Sequence, residues 1–147
     1  MSYQEIYQPL HTIIGADSLE YMVEVVKKFG GKKGLVVTDK GLAKIGTLKH
    51  LTDIMDKTGL SYATYADVEP NPTAGMVRAC HKAYVDGGCD YFVALGGGSA
   101  MDAAKIMWVL YEHPEADFMD MAMRFIDIRK RVYTFPKMGE KAYFIAV

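Results

Sequence analysis

Three consecutive glycines, Gly96–Gly98, are the part of this sequence best suited to binding a ligand. They stand between a strand-like run, Asp90–Leu95, and a stretch with helical spacing that begins near Ser99. Glycine has no Cβ, so backbone N–H groups in such a loop can approach a ligand closely. The first turn of the helix adds unpaired N–H donors and the positive end of a dipole. This arrangement predicts a binding site for a phosphate or pyrophosphate group.

A purely structural role is the alternative for the same loop. Ser99 and Asp102 have the spacing of a capping box, and could simply satisfy the helix terminus while the glycines make a tight turn. The two roles are compatible, because a capped helix can still hold an anion. No G-x-G-x-x-G follows the first predicted strand, and Gly30–Gly34 has the wrong spacing for a Walker P-loop. The pattern indicates a nucleotide-binding fold whose phosphate loop comes late in the chain.

The elements that would position this loop alternate along the chain. Helical periodicity and short apolar runs predict three helices and three strands. The helices are expected at about 16–29, 42–55 and 73–86, and the strands at Gly34–Thr38, Ser61–Tyr65 and Asp90–Leu95. This order implies βαβ crossovers, so the predicted fold class is α/β, a Rossmann-like and mostly parallel sheet with helices on both faces. Tyr7–Ile14 could add an edge strand, and Ala142–Val147 is strand-like.

Composition excludes several classes of function. The 147 residues suit one domain, and 17 basic against 18 acidic side chains leave no global field to attract nucleic acid or a membrane surface. The longest apolar run, Ile106–Tyr111, is far shorter than the roughly 20 residues of a membrane span. A secretory signal is not expected, and Cys80 and Cys89 are expected to be buried, reduced thiols. We therefore expect a cytoplasmic protein with neither nucleic-acid nor membrane partners.

An amphipathic helix is predicted over Phe118–Arg131, near the end of the chain. The basic run Arg129–Arg131 is most simply a solvated helix end, with a nucleic-acid patch as the alternative. The apolar face of this helix could cover another domain or another subunit.

Three motifs in the chain resemble one known family. Gly96–Lys105 (GGGSAMDAAK) is similar to the signature of the iron-containing (group III) alcohol dehydrogenases, and Val36–Lys40 (VVTDK) and Pro70–Thr73 (PNPT) match that family at the right separations. The resemblance covers essentially the whole chain. It implies a dehydroquinate synthase-like N-terminal domain that binds NAD and serves the interconversion of alcohols and aldehydes. Glycerol and dehydroquinate-type enzymes share a similar glycine loop, but the DAAK and PNPT motifs favour the alcohol dehydrogenases.

The resemblance also implies which residues contact NAD. Asp39 ends a predicted strand, where a carboxylate can accept hydrogen bonds from ribose hydroxyls and repel a 2′-phosphate, or can cap a helix instead. Asn71 lies between two prolines, where it is either a cofactor contact or only a turn residue. The expected cofactor-binding residues are Asp39, Asn71, Gly97, Gly98, Ser99 and Asp102.

The family resemblance further implies a metal site, for Fe²⁺ or Zn²⁺, made by one Asp and three His on a downstream helical domain. The four histidines here are His11, His50, His81 and His113, and none has a second His at H-x-x-x-H spacing. We therefore expect residues 1–147 to be a single dinucleotide-binding domain without the C-terminal helical metal-binding domain, with no catalytic or metal-binding residue and no activity alone. The expected partner is that missing domain or another copy of the chain. The alternatives are a non-catalytic nucleotide-binding module and the folded product of a truncated gene.

Overall fold

The computed structural model describes residues 12–71, 73–116 and 136–147. Within these residues four strands form one sheet in the order β2–β1–β3–β4, and all three neighbouring pairs are parallel. The strands are β1 (Lys33–Asp39), β2 (Ser61–Val68), β3 (Tyr91–Ala94) and β4 (Tyr143–Ala146). The helices are α1 (Ser18–Phe29), α2 (Lys40–Lys44), α3 (Thr47–Thr58), α4 (Ala74–Asp86) and α5 (Gly98–Glu112). The predicted parallel α/β architecture is confirmed.

Two hydrophobic layers cover the sheet, one on each face. Successive side chains of a strand point to opposite faces, so Leu35 and Val37 of β1 join one layer and Val36 joins the other. The layer under α1 and α3 contains Met22, Val26, Val36, Leu51, Met55, Tyr91, Val93 and Leu95. The layer under α4 and α5 contains Leu35, Val37, Val77, Cys80, Tyr84, Phe92, Ala94, Ala103, Ala104 and Met107. Because β1 and β3 are buried on both sides, they appear in the sequence as unbroken apolar runs.

The single helix predicted over 42–55 is wrong. The chain forms two helices there, α2 and α3, separated by Gly46 in a left-handed conformation (φ 92°) that ends the first and precedes the second. Ile45, which the periodicity assigned to the buried face, is 74% exposed as a result. Of the predicted N-terminal edge strand, residues 12–14 form no strand and the rest lies outside the described residues, as does the predicted helix over Phe118–Arg131.

A buried carboxylate on α5 anchors the segment that leads into β4. Glu112 is only 2% exposed, and its side chain accepts hydrogen bonds from the backbone N–H groups of Gly139 (2.8 Å), Lys141 (3.2 Å) and Ala142 (3.1 Å). The Trp108 indole N–H donates to the same carboxylate (2.9 Å) and to the Ala142 carbonyl oxygen (3.0 Å). The start of β4 is therefore tied to the end of α5.

These contacts also set the protonation state of Glu112. Burial by itself would raise the pKa of the carboxyl group, because it penalises the charged form. The hydrogen bonds from the N–H groups of Ala142, Glu140 and Lys141 and from Trp108 favour the carboxylate and outweigh burial, so the pKa of Glu112 is lowered from its ordinary value of 4.5.

This anchor predicts a specific dependence of stability on pH. Because the pKa of Glu112 is lower in the folded state, its contribution is fully present above pH 4.5 and is lost as the pH falls through the folded-state pKa. Replacing Glu112→Gln should lower the free energy of unfolding at pH 7 by about 2–3 kcal/mol, since buried N–H donors lose a charged acceptor. The difference between the two proteins should shrink below about pH 4. Urea unfolding followed by the fluorescence of the single tryptophan measures it.

The matched control is Glu24→Gln, the same change at an exposed position on α1, which should leave stability within about 0.5 kcal/mol of the parent. A difference between Glu112→Gln and the parent that stays constant from pH 7 down to the acid transition would contradict the charged anchor.

Candidate functional site

A crevice is expected where the strand order reverses, between the carboxyl ends of β1 and β3. The chain leaves β1 through α2 and α3 on one face of the sheet to reach β2, then returns through α4 on the other face to reach β3. The loops that follow β1 and β3 therefore diverge to opposite faces. In open parallel sheets, ligands bind at such switch points beyond the carboxyl ends of the strands. The residues at this point are Asp39, which ends β1, and the glycine loop Gly96–Gly98 after β3.

The first glycine of the loop is required by the fold itself. Gly96 has φ 138°, a conformation that residues with side chains rarely adopt. A Cβ there would lie 2.9 Å from Cδ1 of Leu42 and 3.2 Å from Cβ of Ala100, closer than packed atoms normally come. The Gly96 N–H donates to the carbonyl oxygen of Val147, 3.1 Å away, immediately after β4. Gly96 therefore makes the turn and lets α2 approach α5.

The next two glycines are not required by packing. Gly97 and Gly98 are exposed, and in the part of the chain that the structure describes a Cβ on either would meet nothing within 4 Å apart from its chain neighbours and the helix's own backbone. Gly97 is the N-cap of α5, and its carbonyl oxygen accepts the first helical hydrogen bond from the N–H of Met101. The open space therefore lies directly over the start of a helix.

No side chain of the described residues caps that helix. The N-cap is Gly97, which has no side chain that could cap it, so Ser99 and Asp102 lie inside the first turns of α5 and do not form the capping box that their spacing allows. The first N–H groups of an α-helix have no partner within the helix, and among the described residues no side chain takes that place. Bare N–H donors, the positive end of the helix dipole and unfilled space suit a phosphate group. The geometry therefore fits the pyrophosphate of a dinucleotide.

Asp39 lies beside this loop and has a structural role of its own. Its Oδ1 accepts a hydrogen bond from the N–H of Leu42 (2.9 Å), which makes it the N-cap of α2. Its Oδ2 is 3.7 Å from the point where a Cβ on Gly96 would lie. Both interpretations of Asp39 are therefore compatible, since one oxygen caps the helix and the other faces toward the glycine loop.

The remaining predicted contacts are more exposed. Asn71 follows β2 at the same edge of the sheet and adopts a left-handed conformation (φ 57°). Asn tolerates this conformation better than most residues, so Asn71 has a role in the turn whether or not it also contacts a cofactor. Asp102 is exposed and Ser99 is partly buried. Parallel pairing thus brings Asp39 and the Gly97–Ser99 turn together at the switch point, with Asn71 one strand further out.

The described residues do not fit a metal. Among them, no three His, Cys, Asp or Glu side chains are grouped closely enough to hold an ion. His113 is occupied by other partners: its Nε2 lies 2.8 Å from the Lys137 carbonyl oxygen and its Nδ1 lies 3.0 Å from Oε1 of Glu115. Those two hydrogen bonds raise the pKa of His113. His50 is exposed and His81 is partly buried, and His11 lies outside the described part.

Both thiols are free and buried, as predicted. Burial raises the pKa of the Cys80 thiol to about 12, so it is protonated at neutral pH and is a poor nucleophile. Across the described ranges, no helix is both long enough and apolar enough to cross a bilayer.

Glu112 is not among the residues predicted from the sequence. The signal was present, because a glutamate four residues after Trp108 lies on the same side of the helix and directly follows the apolar run Ile106–Tyr111. Its partners, the N–H groups of residues 139–142, are close to it only in the folded chain.

Known proteins are similar to this chain in sequence and in fold. The sequence model of the iron-containing alcohol dehydrogenase family matches residues 9–147. Over 130 residues the chain is 46% identical to the bifunctional aldehyde-alcohol dehydrogenase AdhE of Escherichia coli, a match that covers 88% of this chain and 15% of that protein.

Solved structures share the fold. An iron-containing alcohol dehydrogenase from Thermococcus thioreducens superposes with a TM-score of 0.76 at 26% identity, over 90% of this chain and 33% of that one. A sulfoacetaldehyde reductase from Bifidobacterium kashiwanohense, solved in complex with NAD⁺, superposes with a TM-score of 0.73 at 23% identity, over 99% of this chain and 36% of that one. The chain thus corresponds to between 15% and 36% of the length of these proteins. With a family match across nearly its whole length, this chain belongs to the iron-containing alcohol dehydrogenases.

Proposed function

We propose that this domain binds NAD at the carboxyl edge of its sheet, as part of an enzyme that interconverts alcohols and aldehydes by hydride transfer. One observation carries the proposal: α5 begins at Gly97–Gly98 without a side-chain cap and with open space over its first turn. The pyrophosphate of NAD is the part that would lie there. The related sulfoacetaldehyde reductase, which shares the fold, was solved with NAD⁺, and this supports a dinucleotide over other phosphate ligands.

Each proposed contact uses a group that the fold leaves available. Gly97, Gly98 and Ser99 would donate backbone N–H groups, and Ser99 its hydroxyl, to the pyrophosphate. Asp39 would accept hydrogen bonds from the adenosine ribose and disfavour the additional phosphate of NADP. Asn71 would add an amide contact from the neighbouring loop. Asp102, one turn further along α5, would lie on the nicotinamide side.

Bound NAD would supply the hydride acceptor at nicotinamide C4. The residues of this chain would hold the cofactor and orient it through the loop and Asp39. Because no described group of side chains fits a metal, no step that activates the alcohol oxygen is assigned to these residues. Residues 1–147 are proposed to act as one cofactor-binding domain, with the alcohol bound by other parts of the enzyme.

Replacing Gly98→Val tests the loop. The added side chain points into open space, so the midpoint of thermal unfolding should change by no more than about 3 °C. The same side chain would occupy the space proposed for the pyrophosphate, so NAD affinity measured by titration calorimetry should fall at least about a hundredfold, the equivalent of about 2.7 kcal/mol.

The control is Ala79→Val, which adds bulk at an exposed position of α4 and should leave NAD affinity unchanged. Equal NAD affinity in Gly98→Val and the parent would exclude the loop as the binding site.

Replacing Asp39→Asn tests the choice of cofactor. Asparagine is as good an N-cap as aspartate, so α2 should remain in place. Removal of the negative charge should relieve repulsion of the 2′-phosphate and shift the ratio of NADP to NAD affinity by roughly tenfold in favour of NADP. The ratio is measured by parallel titrations of the two cofactors. A ratio identical to that of the parent would leave Asp39 as a helix cap only.

Activity separates an enzyme domain from a non-catalytic binding module. The purified 147-residue chain, given NAD, Fe²⁺ and a short primary alcohol, should bind NAD and form no NADH, as followed by absorbance. Adding the C-terminal part of the alcohol dehydrogenase unit of an AdhE relative as a separate polypeptide should restore NADH formation. Turnover by the chain alone would contradict the proposal that this domain only binds the cofactor. NAD binding without recovery of NADH formation would favour the non-catalytic module.

A further inference from the structure

We propose that Glu112 is a positioning residue for the glycine loop. By holding residues 139–142, its carboxylate helps to fix the register of β4 and so presents the Val147 carbonyl oxygen to the N–H of Gly96. The effect on NAD affinity rests on the proposed function, whereas the effect on the shape of the loop does not.

The Glu112 carboxylate holds the segment before β4 by hydrogen bonds to its backbone. Four consecutive residues, 139–142, direct their backbone N–H groups at the two oxygens of Glu112, at distances from 2.8 to 3.3 Å. Gly139, with φ 85°, supplies the left-handed turn that lets successive N–H groups converge on one anion. The Lys141 ammonium adds a hydrogen bond to the Glu112 carbonyl oxygen (2.6 Å). This segment is therefore fixed up to Ala142, the residue immediately before β4 begins.

The hydrogen bonds to Glu112 add to the contacts that fix the register of β4. The strand has only four residues, two of them exposed, and among the described strands it pairs with β3 alone. Its register is held by the pairing with β3 and by two ring contacts, Phe144 with Trp108 (centroids 5.2 Å apart) and Tyr143 with Phe29 (4.1 Å), and the hydrogen bonds to Glu112 fix the chain immediately before the strand. Slippage by one residue would move the following carbonyl by about 3.3 Å, beyond hydrogen-bond range of its partner.

The register of β4 determines which carbonyl oxygen meets the glycine loop. In the observed register Ala146 lies opposite Ala94, the Val147 N–H donates to the Ala94 carbonyl oxygen (2.8 Å), and the Val147 carbonyl oxygen accepts from Gly96 (3.1 Å). Gly96 is the residue whose unusual φ turns the chain toward Gly97 and Gly98. The hydrogen bond that the Gly96 N–H donates to the Val147 carbonyl oxygen therefore holds the residue that orients Gly97 and Gly98.

A direct electrostatic effect of Glu112 on a bound phosphate is too weak to replace this route. Gly98 and Glu112 are fourteen residue steps apart along α5, which is about 21 Å at 1.5 Å per residue. Screening at physiological salt acts over about 8 Å. An effect of a Glu112 variant on NAD affinity must therefore be transmitted by contacts within the protein. β4 provides these contacts, because it connects the two ends of α5.

The experiment compares the ¹⁵N-labelled parent chain with Glu112→Gln and two controls, with all proteins folded under the conditions used. Glu24→Gln matches the chemical change at an exposed site, and Val26→Ala destabilises the fold from the core layer under α1. The first readout is the amide proton shift of Gly96, which reports the local hydrogen bond and not global stability. The second is NAD affinity by calorimetry.

In Glu112→Gln the Gly96 amide proton should move upfield, and NAD affinity should fall roughly tenfold, the equivalent of one lost hydrogen bond. Both controls should keep the parent values. An unmoved Gly96 resonance in Glu112→Gln overturns the proposal, and so does an equal movement in Val26→Ala or an unchanged NAD affinity beside a shifted resonance.

A parent chain that binds no NAD refutes the proposed function, while the Gly96 shift still decides whether Glu112 positions the loop. If Glu112→Gln does not fold, Trp108→Phe removes the single indole N–H that donates both to the carboxylate and to the Ala142 carbonyl oxygen. It should give a smaller shift of the Gly96 resonance in the same direction, and no shift there also overturns the proposal.

Discussion

β1 pairs in parallel with β2 on one side and with β3 on the other, and this double pairing is the constraint that the rest of the structure follows. Parallel neighbours need crossovers, so helices must cover both faces. Because β2 and β3 lie on opposite sides of β1, the two crossovers go to opposite faces and leave the carboxyl ends of β1 and β3 uncovered between them. Asp39 and the glycine loop are at those two ends. The site is thus a consequence of strand order.

Helix α5 connects this site to the edge of the sheet. Its N-terminal turn provides bare N–H donors, which suit an anion. Its last residue, Glu112, is a carboxylate at the negative end of the helix dipole, where an acidic group is electrostatically unfavourable. The N–H groups of residues 139–142 and the Trp108 indole offset that cost and burial as well. The same helix therefore offers N–H donors at one end and anchors a strand at the other.

Glycine is present at the three loop positions for different physical reasons. Gly96 is needed by the fold, since its φ of 138° and the closeness of Leu42 and Ala100 leave no room for a side chain. Gly97 and Gly98 face empty space, so the fold alone would accept larger residues. Two glycines with no packing reason, at an uncapped helix terminus, are what the proposed pyrophosphate site would require.

The sequence alone determined the features that depend on local pattern: the α/β class, the approximate elements, the position of the glycine loop and the family. These were predictable because apolar periodicity and turn residues act over a few neighbours. The extent of each helix was less so, as Gly46 breaks a continuous pattern into α2 and α3. Only the tertiary structure decided that the Ser99–Asp102 capping box does not form, that Asp39 lies beside Gly96, and that Glu112 holds the start of β4. Each of these depends on where a helix starts or on residues far apart in the chain, which strand pairing and packing bring together and no local pattern encodes.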